Sequence, residues 1–106
     1  MKKVKFYRTC KRQGRYVFIE EYGYQYVDES TGIVYYIFKP DTASYYYVIE
    51  KNTGLDCVTY DVYLRTIKDA MNYAAKVSPF VERRLLDSDK VAIASALSVF
   101  KNQEGV

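Results

Sequence analysis

Only one of the thirteen tyrosines in this 106-residue chain, Tyr73, lies beyond residue 63, and the chain has neither histidine nor tryptophan. Tyrosine fits half-buried strand surfaces and is one of the weaker helix formers. Its distribution therefore splits the chain into a β-forming part up to Tyr63 and a tail of different character.

The first part reads as strands separated by turn residues. Val4 to Cys10 alternates as a half-buried strand, Lys11-Arg12-Gln13-Gly14 supplies a turn, and Arg15 to Glu21 returns. Tyr22-Gly23 interrupts before Tyr24 to Val27. The cluster Asp28-Glu29-Ser30-Thr31-Gly32 then leads into Ile33 to Phe38, the most apolar run, which Lys39-Pro40 ends. Tyr45 to Lys51, the turn Asn52-Thr53-Gly54 and Leu55 to Tyr60 form a further hairpin. The stretch Tyr26 to Ile33 resembles Tyr47 to Leu55, each with Tyr-Val, an acid and Thr-Gly before a branched residue, so two consecutive hairpins of one meander are expected.

After Tyr63 the apolar spacing becomes helical. Thr66 with Asp69 forms a capping-box-like start, and Ile67, Ala70, Met71, Ala74 and Val77 follow on one stripe. Ser78-Pro79 predicts a break and a short second helix through Leu86. Asp87-Ser88-Asp89 predicts the cap of a third segment with Ile93, Leu97 and Phe100 on one stripe. The expected fold is α+β in a single domain, 1–106: an antiparallel meander of about five strands over 3–60, with two or three C-terminal helices packed on one face. The other face is expected to be open and lined by tyrosine.

Charge is polarised along the chain. Residues 1 to 15 carry seven cations (Lys2, Lys3, Lys5, Arg8, Lys11, Arg12, Arg15) and no acid, while the remainder carries nine cations against thirteen acids, a net of −4. Lysines that protect an edge strand explain part of this, and a patch facing phosphates explains it as well. The basic opening has no apolar run behind it, and Ile33 to Phe38 is too short to span a bilayer. A cytoplasmic chain without membrane contact, monomeric or homodimeric, is the expectation.

Much chemistry is absent. Without histidine, Ser-His-Asp and Cys-His nucleophile systems cannot form, and the usual zinc sets cannot be assembled from Cys10 and Cys57. The two thiols read as free side chains rather than a bridge. No glycine cluster makes a phosphate loop or dinucleotide fingerprint. Glu20-Glu21 and Asp28-Glu29 are the acid–base candidates, but strand neighbours point to opposite faces. No catalytic residue, metal or cofactor is expected, and the chain reads as a binding protein rather than an enzyme.

Tyr35-Tyr36 and Tyr45-Tyr46-Tyr47 put rings on both faces of their strands, so some must point away from a core. Tyr35, Tyr45 and Tyr47 are the expected contact residues for a protein partner, with Arg8, Lys11, Arg12 and Arg15 as a steering patch. The alternative is a small nucleic-acid-binding protein that uses the basic N-terminal hairpin, where rings and cations interleave.

Tyr47 to Leu55 followed by Thr66-Ile67-Lys68-Asp69-Ala70 resembles the strand–turn–strand–helix pattern of small phage and mobile-element accessory proteins of the anti-CRISPR type. The resemblance implies an inhibitor that occludes a surface of a bacterial defence nuclease or nucleoprotein complex. It carries over no site residue, and the positive balance departs from acidic mimicry of DNA.

Overall fold

The structure, a computed structural model, describes residues 2–104. Four antiparallel strands run in the order of the chain: β1 (Val4–Arg12), β2 (Arg15–Val27), β3 (Val34–Phe38) and β4 (Tyr47–Glu50). Two helices follow, α1 (Ile67–Arg84) and α2 (Ser88–Gln103). The fold is α+β, with four strands where about five were expected.

Strand β2 is long because it serves two neighbours in succession. Its first part, Arg15 to Gly23, pairs with β1, and Tyr24 to Val27 pairs with β3. The expected interruption at Tyr22-Gly23 is instead the handover point, where the chain stays extended. A Cβ on Gly23 would lie 2.6 Å from the Ile37 carbonyl oxygen and 3.0 Å from both Phe38 Cβ and Phe6 Cε1. Only a residue without a side chain lets β1 fold over β3 here.

That closure decides what each face does. Tyr35, Ile37 and Val48 point to one side, where Ala70, Ala74 and Leu64 complete a core beneath α1. Tyr36, Phe38 and Ile49 point to the other, where Phe6 from β1 closes over them with its ring stacked on Tyr36 at 4.8 Å. The face expected to be open is therefore folded onto itself. The sheet curls into a partial barrel with a small aromatic core inside and both helices outside.

The expected strand Leu55 to Tyr60 shrinks to one bridge, Ile49 to Asp56. The Asp56 carboxylate accepts from the Val48 and Val58 amides, so a side chain takes the place of a continuing ladder. The segment still closes the barrel, because the Thr9 amide donates to the Gly54 carbonyl at 2.7 Å and the Thr9 hydroxyl to the Thr53 carbonyl at 2.6 Å.

The two Thr-Gly turns are built alike. Asp28 accepts from the amide and hydroxyl of Thr31, and Glu50 accepts from the amide and hydroxyl of Thr53. Each acid also takes a backbone bond from the glycine four residues on. The repeat thus aligns Asp28 with Glu50, Thr31 with Thr53 and Gly32 with Gly54.

In α1, Thr66 caps the Asp69 amide at 3.0 Å, as its sequence predicts. The expected break at Ser78-Pro79 does not occur, since Pro79 sits inside one continuous helix. Its missing amide and ring clash cost about 3 kcal/mol. The helix holds because Val81 and Leu85 beyond it pack against the main core and Ser78 is buried and hydrogen-bonded. In α2, Ile93 and Leu97 are buried and Phe100 packs against Tyr7 and Phe18, on the expected stripe. Among the described residues no helix is long and apolar enough to cross a membrane.

Candidate binding surface

The sheet register parts the three candidate tyrosines. Tyr35 faces α1 and is fully buried, with its hydroxyl 2.8 Å from Ser78 Oγ. Ser78 Oγ donates to the Ala74 carbonyl, so the phenol donates to Ser78. Burial pushes the Tyr35 pKa up to about 12. Tyr35 is a core residue, which corrects its expected role as a contact. Tyr47 lies half-buried on the opposite face, edge-on to Phe38 at 5.4 Å, and walls the second core. Tyr45 precedes β4 and escapes both cores.

Tyr45 joins two tyrosines that sequence reasoning did not single out. Its ring lies 4.7 Å from that of Tyr63. Tyr63 is 59% exposed, and Tyr60, three residues earlier, is 95% exposed. The loop that carries them is held from within: Val62 packs on the main core, Leu64 is buried, and the Tyr46 amide donates to the Leu64 carbonyl at 2.8 Å. A tight turn shapes it, with the Thr59 hydroxyl bonded to Asp61 and the Val62 amide to the Thr59 carbonyl. Alternating apolar and aromatic residues over Val62-Tyr63-Leu64 were the signal, hidden by reading Leu55 to Tyr60 as a strand.

Tyr46, next in the chain, packs instead against the main core. Lys39 lies over the Tyr46 ring at 5.5 Å and Lys3 over the Tyr24 ring at 5.8 Å. A shallow cleft of about 210 Å³ runs between these residues, with the exposed Tyr22 at its side.

The four steering cations also separate. Arg8 is half-buried, bonded through Nε to Glu21 at 3.1 Å and through Nη1 to the Cys10 sulfur, with its guanidinium over the Phe38 ring. It plugs the mouth of the inner core rather than facing solvent. Lys11, Arg12 and Arg15 are exposed together at the β1–β2 turn. Among the described residues none of the three has an ion-pair partner.

The remaining titratable groups are tied into the fold. Burial, with the Asp56 charge beside it, pushes the Cys57 thiol up to about 12, so the thiol is protonated and inert at neutral pH. Glu20 lies 3.9 Å from Lys5 and Glu21 pairs with Arg8, so this adjacent pair does not converge. Asp28 and Glu50 are spent on their turns. Among the described residues no three of His, Cys, Asp and Glu lie where they could hold one metal ion, and both cysteines are free.

Compared with protein-family models, curated proteins and solved structures, the chain matches none.

Proposed function

We propose that this domain is a non-enzymatic binding module that docks on a protein partner through the tyrosine surface formed by Tyr45, Tyr60 and Tyr63. The observation that carries the reading is the exposure of Tyr60 and Tyr63 on a loop anchored by Val62 and Leu64. Two large rings held out in water on an anchored loop gain little for the fold, and a partner that covers them gains much. With only two side-chain torsions, tyrosine also loses little conformational freedom on binding. The finer reading, a phage or mobile-element inhibitor that occludes a bacterial defence nuclease or its nucleoprotein complex, rests on the resemblance of residues 47–55 and 66–70 alone.

The test compares the protein with a Tyr60→Ser/Tyr63→Ser variant, each immobilised and exposed to a nuclease-treated bacterial lysate. Hot-spot rings contribute ~2 kcal/mol or more each, so the double variant is expected to lose captured protein by more than ~30-fold while its thermal midpoint stays unchanged. Equal capture by both proteins overturns the role of these tyrosines.

A further inference from the structure

We infer that the β1–β2 hairpin is a ribbon that enters the major groove of duplex DNA. The ribbon is anchored at one rung and free beyond it. Thr9 is bonded to Thr53 and Gly54, and Phe18, its partner in the register, packs its ring on Phe100. Past that rung every residue from Lys11 to Tyr16 is exposed. Three strand residues, Cys10 to Arg12, project about 10 Å past that rung, enough to cross a major groove about 8.5 Å deep. The connection is tight: Arg12 pairs with Arg15, and Gln13 and Gly14 both have positive φ, at 52° and 76°. The free end is thus two strands wide all the way to its tip, which fits a groove about 12 Å across.

Charge is disposed on this ribbon as groove insertion requires. Lys11 and Tyr16 lie opposite each other on one face, and Arg12 and Arg15 lie opposite each other on the reverse face. A flat anionic surface would use only one of these faces. Walls of phosphate on both sides use both. No acid interrupts the sequence before Glu20, and Glu20 and Glu21 face Lys5 and Arg8 instead.

A second cationic point lies on the Lys11 face about 20 Å back along β1. There Lys5, Lys51 and Lys101 border one cleft of about 200 Å³ together with Tyr7 and Tyr36. Three ammonium groups come from three separate elements, with Glu20 the acid beside Lys5. Burial and the Lys51 charge lower the Lys101 pKa, against the raising effect of the nearby Glu50 charge. With the ribbon inserted tip-first, this cleft stands about 20 Å back from the groove and takes no part in holding the same duplex.

The experiment is fluorescence anisotropy of a labelled 20-base-pair duplex DNA titrated with the full chain at 50 and 200 mM salt. With about three phosphates neutralised, affinity is expected to fall by about 40-fold across that range. Lys11→Gln/Arg12→Gln/Arg15→Gln, at exposed positions that leave the thermal midpoint unchanged, is expected to weaken binding at 50 mM salt at least ~30-fold and to flatten the salt slope. Lys101→Gln, and Lys68→Gln/Lys76→Gln on α1, each leave it unchanged. Duplex affinity that survives the triple substitution, absent binding at 50 mM salt, or a single strand of the same length bound more tightly than the duplex would each overturn the proposal.

Discussion

Tyr35 and Ser78 form a buried relay in which the phenol donates to the serine and the serine donates to the Ala74 carbonyl. The two partners are not equivalent when removed. Tyr35→Phe deletes a donor and leaves Ser78 bonded to Ala74, so it should cost ~1 kcal/mol, whereas Ser78→Ala strands a buried hydroxyl and should cost up to ~3 kcal/mol, both read by urea unfolding at pH 7. The phenol also has a signature in pH. Its folded pKa of about 12 lies above the ordinary 10.0, so the stability it contributes is complete below pH 10 and is lost as pH rises from 10 towards 12. Tyr35→Phe should therefore flatten the alkaline fall in unfolding free energy. At the acid end the sign reverses, because the hydrogen bond from the Thr31 hydroxyl leads the causes that hold Asp28 below 3.8. Its contribution is present above pH 3.8 and is lost as pH falls through that lowered value. Tyr35 lies in the most apolar strand, and its pairing with Tyr36 points to one wet face only while the sheet is taken as open. Nothing in the strand itself announces that the sheet closes and makes both faces wet-free.

Elements were legible wherever local chemistry decides them, and this holds for the Thr66 cap, the α2 stripe and the turns at Gly14, Gly32 and Gly54. They were misread where distant packing overrides local preference. Pro79 is the sharpest case, with a helix breaker overruled by Val81 and Leu85 in the core. Because Pro79 is exposed, Pro79→Ala should recover ~1–3 kcal/mol and raise the thermal midpoint. Gly23 is the second case. It reads as an interruption of β2, yet its role appears only when β1 and β3 are placed above it. Gly23→Ala should destabilise by ~1–3 kcal/mol through overpacking against Ile37, Phe38 and Phe6, and should broaden the spectrum of the aromatic core. Gly54 combines a positive φ of 68° with a Cβ position 2.6 Å from Thr9 Oγ1, so Gly54→Ala should loosen the seam between β1 and the second Thr-Gly turn. Faster hydrogen exchange at the Thr9 amide would report that loss.

At the scale of the molecule, the closed sheet leaves the most exposed tyrosines, Tyr60 and Tyr63, on the loop before α1. Of the three candidate rings only Tyr45 lies outside both cores, and of the four cations Lys11, Arg12 and Arg15 are fully exposed. Strand periodicity tells which residues share a face and is silent on which face a fold-over will cover. The central claim is that Tyr60 and Tyr63 are the point of contact with a protein. Its most direct measurement is site-specific photo-crosslinking with a benzophenone side chain placed in turn at positions 60, 63 and 76, in nuclease-treated bacterial lysate. Position 76 is an exposed site on α1 and serves as the reference. The account predicts the same discrete crosslinked protein from positions 60 and 63 and none from 76. No crosslink at 60 and 63, or the same products from all three positions, would contradict it.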